Sequence, residues 1–125
     1  MRTALSLLLA ASLLAACSSP APKVPPVLDE LTVPADLALD AATNAYPLPV
    51  KVAFHDVDDS VVAMHVEAPA LKQSTDLPFP DTSLVQTLII TIPASFKGKT
   101  LTFSVSVKDQ AGLFSDAQFR SVNLL

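Results

Sequence analysis

The chain has one cysteine, Cys17, so no disulfide can form within it and no paired-thiolate metal site is available. Two glycines in 125 residues leave no phosphate-cradling loop and few sites for close approach of backbone to ligand. There is no tryptophan and one tyrosine, Tyr46, which argues against an aromatic sugar platform. Cations are few as well: Lys+Arg number 8 against 12 Asp+Glu. An acidic balance argues against nucleic acid or an anionic membrane surface as partner. No Gly-x-Ser-x-Gly elbow and no His-Glu-x-x-His pair occurs. An enzyme is therefore not expected.

What is present begins at the N-terminus. Arg2 is followed by an uncharged run from Ala4 to Ala16, rich in leucine. The run is shorter than the roughly 20 apolar residues that a spanning helix needs. It fits the hydrophobic region of a secretory signal peptide, residues 1–16. Beyond Cys17, the stretch Ser18–Pro26 holds four prolines in nine residues. Proline at that density favours an extended polyproline II tether, spanning 17–26 with the cysteine and reaching roughly 25–30 Å. Residues 27–125 then form one domain of ordinary size.

Leu14-Ala15-Ala16-Cys17 resembles the lipobox of bacterial lipoprotein precursors. The resemblance implies cleavage between Ala16 and Cys17 and a diacylglyceryl group on the Cys17 sulfur, with the new amine acylated in turn. Two or more acyl chains hold a protein firmly, because each buried CH₂ contributes roughly 0.8 kcal/mol. It implies a cell-envelope location, and Ser18 in place of aspartate favours the outer membrane. Without residues 1–16 the chain loses only Arg2, leaving 7 cations against 12 acids, a net charge of −5.

The domain reads as strands. Val27 to Val33 is the first, with Leu31 and Val33 on one face. Ala35 to Ala42 is irregular or edge structure. Thr43 to Pro49 is expected to be a loop, since Pro47 and Pro49 cannot donate to a ladder. Val50, Val52 and Phe54 alternate with Lys51, Ala53 and His55; Val62, Met64 and Val66 alternate with Ala63, His65 and Glu67. Lys72 to Asp81 is a long loop with at most a short edge strand. Ser83 to Ile92 points Leu88, Ile90 and Ile92 to the core and leaves Val85 and Ile89 outward. Leu101, Phe103, Val105 and Val107 give the cleanest period-2 signal. Asp109 to Gly112 is a turn, and Phe114 to Leu125 is the last strand, with a bulge expected near Phe119-Arg120. Together these predict an all-β fold: a single antiparallel β-sandwich of six to seven strands.

The segment Leu101–Gly112 resembles the penultimate strand and turn of bacterial immunoglobulin-like and fibronectin-type-III-like modules, and Val50–Asp59 resembles their second strand and turn. The tryptophan and paired cysteines of antibody domains are absent.

One acidic constellation stands out. The topology expected for such a sandwich brings Asp56, Asp58 and Asp59 to the same end as Asp109, with the loop of Asp76 and Asp81 ending there too. Calcium takes six to eight oxygens, several from carboxylates, and this set could serve it; solvated turns are the simpler reading. Beyond calcium and the lipid on Cys17, no cofactor is implied. His55 and His65 should lie on different sheets, which disfavours zinc. The function this supports is a lipid-anchored, non-enzymatic binding or structural module holding a protein partner in the envelope. The alternatives are an accessory lipoprotein of a secretion or surface-assembly machine, and a module binding calcium or glycan.

Overall fold

A computed structural model describes residues 22–125. The signal segment and Cys17 lie outside them. The described residues form eight strands, two 3-10 turns (Pro69–Leu71 and Ala94–Phe96) and no α-helix. The strands are β1 (Val27–Thr32), β2 (Asp36–Leu37), β3 (Ala45–His55), β4 (Val61–Ala68), β5 (Gln73–Pro78), β6 (Val85–Pro93), β7 (Thr100–Asp109) and β8 (Gln118–Leu124). They make two sheets, ordered β1-β3-β6 and β2-β8-β7-β4-β5. The expected all-β sandwich is what the chain forms. All pairings are antiparallel except that of the two-residue β2 with β8.

Alternation explains the core. Val50, Val52 and Phe54 from β3 face Leu101, Phe103, Val105 and Val107 from β7, and all are buried. Met64, Val66, Ile92, Val122 and Leu124 close the same cluster. Burying each such side chain contributes about 1.5–3 kcal/mol.

Four expectations are corrected. Residues 45–49 are not loop but the first half of β3. Pro47 and Pro49 are two apart, so their missing N–H groups point to the same lateral side. β1 pairs with β3 only from Lys51 onward, so that side has no ladder to satisfy. The prolines sit on what is locally an edge. Second, β1 ends at Thr32 and buries Leu28 as well as Leu31, with Val33 just beyond it packed partly buried against the same core, because the register with β3 shifts between Leu28 and Glu30. Third, a register shift between Val61 and Ala63 turns Val62 outward. Fourth, β8 pairs with β7 without any shift at Phe119-Arg120. The irregularity lies earlier, at Ser115–Ala117, and β8 begins at Gln118. There the Ser115 hydroxyl accepts from the Val107 amide at 2.9 Å, replacing a ladder bond.

Arg120 breaks the apolar pattern because it faces a different need. Its guanidinium donates to the Leu31 carbonyl at 3.2 Å, and the Gln118 amide donates to the Leu28 carbonyl at 3.0 Å. Two β8 side chains thus satisfy the free carbonyls of β1 across the sandwich. Tyr46, fully buried, donates its hydroxyl to the Leu125 carbonyl at 2.7 Å and ties β3 to the end of the chain.

Candidate interaction surfaces

The acidic end is built by turns. Asp56 accepts the amides of Asp58 and Asp59 on one carboxylate oxygen, at 2.9 and 3.4 Å. Asp109, 1% exposed, accepts the Leu113 amide at 2.9 Å, while the Gly112 amide bonds its carbonyl. Gly112 has φ +90°, the left-handed conformation that the Asp-x-x-Gly turn requires. Asp58 accepts the Val24 amide, and Lys23 approaches Asp59 at 3.4 Å. Burial acts to raise the Asp56 carboxyl. The Asp58 amide, the adjacent Asp109 carboxyl, the Asp59 amide and Lys23 outweigh it and hold the group below the usual carboxylate range.

Asp56, Asp58, Asp59 and Asp109 therefore do gather at one end: Asp56 and Asp109 accept amides of their own turns, while Asp58 and Asp59 meet Val24 and Lys23. One oxygen each of Asp56, Asp59 and Asp109 is buried without a hydrogen-bond partner. Among the described residues no three His, Cys, Asp or Glu side chains are disposed to hold a metal ion. Asp81 is on the loop that reaches this end, but its carboxylate is engaged by the Ser83 amide and the Gln86 side chain, which hold it below the usual range. Asp76 is elsewhere, on β5.

That second position was not foreseen as a site. Cross-strand register aligns Asp76, His65 and Ser106 in one row across β5, β4 and β7, and Glu67, Ser104 and Phe119 in the next across β4, β7 and β8. All face away from the core. His65 Nδ1 lies 2.6 Å from Asp76 and Nε2 lies 3.1 Å from Glu67. Lys108 donates to the other Asp76 oxygen at 3.1 Å. Partial burial acts to lower the His65 value, but the bonds to Glu67 and Asp76 prevail and raise it. Asp76 is lowered by its bonds from His65 and Lys108. The Phe114 ring meets the His65 ring edge-on at 5.3 Å, and Lys108 sits over the same ring.

Between these walls runs a groove. Thr102, Ser104 and Ser106 of β7 form its floor. Glu67, Pro69 and Ala70 line one side; Phe114, Ala117 and Phe119 line the other. Its two adjoining parts measure about 450 and about 360 Å³. Phe119 is 68% exposed and shares this wall with the partly exposed Phe114, so two rings face solvent along one groove. His55, by contrast, stands on β3 and pairs with Asp29 at 2.7 Å, so the two histidines are on different sheets.

No protein-family model matches the chain, and no curated protein does. Among solved structures it is similar to the PKD domain of an M14-like peptidase from Thermoplasmatales archaeon SCGC AB-540-F20. The TM-score is 0.59 at 14% identity, covering 82% of this chain and 98% of that one. The fold is immunoglobulin-like. The groove and the exposed β6 edge are thus features carried on an immunoglobulin-like sandwich, and their chemistry must be argued from their own residues.

Proposed function

We propose that the chain is a lipid-anchored module of the cell envelope, held through an acylated Cys17, whose sandwich binds a protein partner without catalysis. The lipobox resemblance at Leu14–Cys17 supports the anchor and the envelope location. An immunoglobulin-like sandwich suits a binding or structural role. The observation that carries the partner reading is the groove on the outer face of β7. Two aromatic rings, Phe114 and Phe119, stand over a hydroxyl floor opposite a carboxylate. Such a site takes a segment that rests an apolar side chain on Phe119 and turns a cationic or N–H donor to Glu67. Ser106 stands beside His65 in the groove, but both nitrogens of that ring are engaged by Asp76 and Glu67 rather than by the hydroxyl.

Affinity capture from detergent-solubilised envelope, under mild crosslinking, tests the reading. The wild-type chain is expected to recover a partner. Phe119→Ser is expected to reduce recovery at least tenfold with its melting temperature unchanged. Recovery of the bait alone by the wild-type chain overturns the proposal.

A further inference from the structure

The four sheet edges are not equally protected. The β1 edge carries Asp29 and Glu30, a register shift, and the side chains of Gln118 and Arg120 on its carbonyls. β2 is two residues long. β5 is six residues long, ends in Pro78 and carries Asp76. β6 runs for nine residues at the end of its sheet, and no charge occurs from Thr82 to Phe96. Only Pro93, at its last position, guards it. Proteins blunt long edges with charge, proline or bulges, because an open row of N–H and C=O groups pairs with another strand.

The lateral direction of that row follows from the prolines. Pro47 and Pro49 face away from β6, so Tyr46, Leu48, Val50 and Val52 bond to it, opposite Ile92, Ile90, Leu88 and Gln86. The intervening Thr87, Ile89 and Thr91 then direct their backbone groups to the open side. Their side chains lie on the outer face, where Ile89 is 58% and Val85 49% exposed. On the inner face Leu88 and Ile90 are only half-buried, and Ile90 lines a seam of about 480 Å³ between β5 and β6.

We infer that the β6 edge pairs antiparallel with the β6 edge of a second copy of this chain. A two-fold axis at Ile89 sets Ile89 against itself and Thr87 against Thr91 of the other copy. Each of these pairs exchanges both N–H···O bonds. Ile–Ile and Thr–Thr are among the favourable cross-strand pairs. The near-symmetric run Thr87-Leu88-Ile89-Ile90-Thr91 selects a second copy: it is its own complement about Ile89, and two such edges meet with no like charges opposed. Ile90 of both copies then covers the seam. A contact built on one strand pair is smaller than the standard interface of about 800 Å² per partner, so the dimer is weak and concentration-dependent.

Sedimentation velocity of the full chain in mild detergent, over a concentration series, tests this independently of the partner reading. A monomer–dimer equilibrium is expected. Ile89→Lys places like charges on the axis and should raise the dimer dissociation constant at least tenfold. Val62→Lys, exposed on β4 of the other sheet, should leave it unchanged. Equal thermal melts of the two variants show that both are folded. A wild-type monomer at every concentration, or a dimer that Ile89→Lys does not weaken, overturns the inference; neither result bears on capture through the Phe119 groove.

Discussion

His65 shows how much one side chain's neighbours can do. Carboxylates face both ring nitrogens, and a ring with two acceptors is best served when both nitrogens carry protons. Its value is raised, so its contribution to stability is complete below the ordinary histidine value of 6.5 and is lost as pH rises through the raised one. Asp76 is lowered, so its contribution holds above the ordinary 3.8 and is lost as acid passes through the lowered value. The cluster therefore stabilises most between about pH 4 and about pH 6.5. Asp76 is well exposed and screened by solvent, which keeps the effect within about 1 kcal/mol. Thermal melts of His65→Gln should lose the decline that the wild-type chain shows as pH rises above the ordinary histidine value of about 6.5. An identical decline in both would show that the pairing contributes nothing.

At the scale of elements, β3 is the strand on which the smaller sheet depends. Its first half is held by β6 on one side and by the Tyr46 hydroxyl at the chain's end. Tyr46→Phe leaves the ring's packing intact and removes that bond, so it should cost about 1 kcal/mol. In a domain of this size that is a fall of about 4–8 °C in Tm, readable by calorimetry. The same strand shows what a sequence can and cannot disclose. Val50, Val52, Phe54 and the β7 residues Leu101 to Val107 were legible because alternation reports burial directly. Pro47 and Pro49 misled because proline forbids a ladder on one lateral side only, and which side is open depends on where β1 ends. Arg120 read as a fault in the pattern because its partner, the Leu31 carbonyl, is 89 residues away in sequence. The groove was illegible for the same reason. Phe119, Ser104 and Glu67 are brought into one row by strand register, which composition does not encode. The acidic end was legible as a gathering of turns, since aspartate bonds its own backbone wherever a chain reverses.

For the whole molecule, the proposed anchor and the domain divide the work. The described residues include no helix long and apolar enough to cross a membrane. The proposed attachment rests on Cys17 alone. Cys17→Ser should move the protein from the membrane to the soluble fraction and abolish acyl labelling, while capture through the groove survives in detergent. Equal labelling of both forms would remove the anchor from the proposal. The contacts of the domain begin earlier than the proline count implies: Pro26 is buried, and Lys23 and Val24 are already fastened to Asp59 and Asp58.

That fastening has a mechanical meaning. Tension arriving along the N-terminal segment would otherwise act first on β1 and peel it from β3 one bond at a time. Because Val24 and Lys23 hold the turn at Asp58 and Asp59, part of the load enters where β3 passes into β4, the connection that joins the two sheets. Some of the tension then reaches the second sheet directly and does not pass through β1 alone.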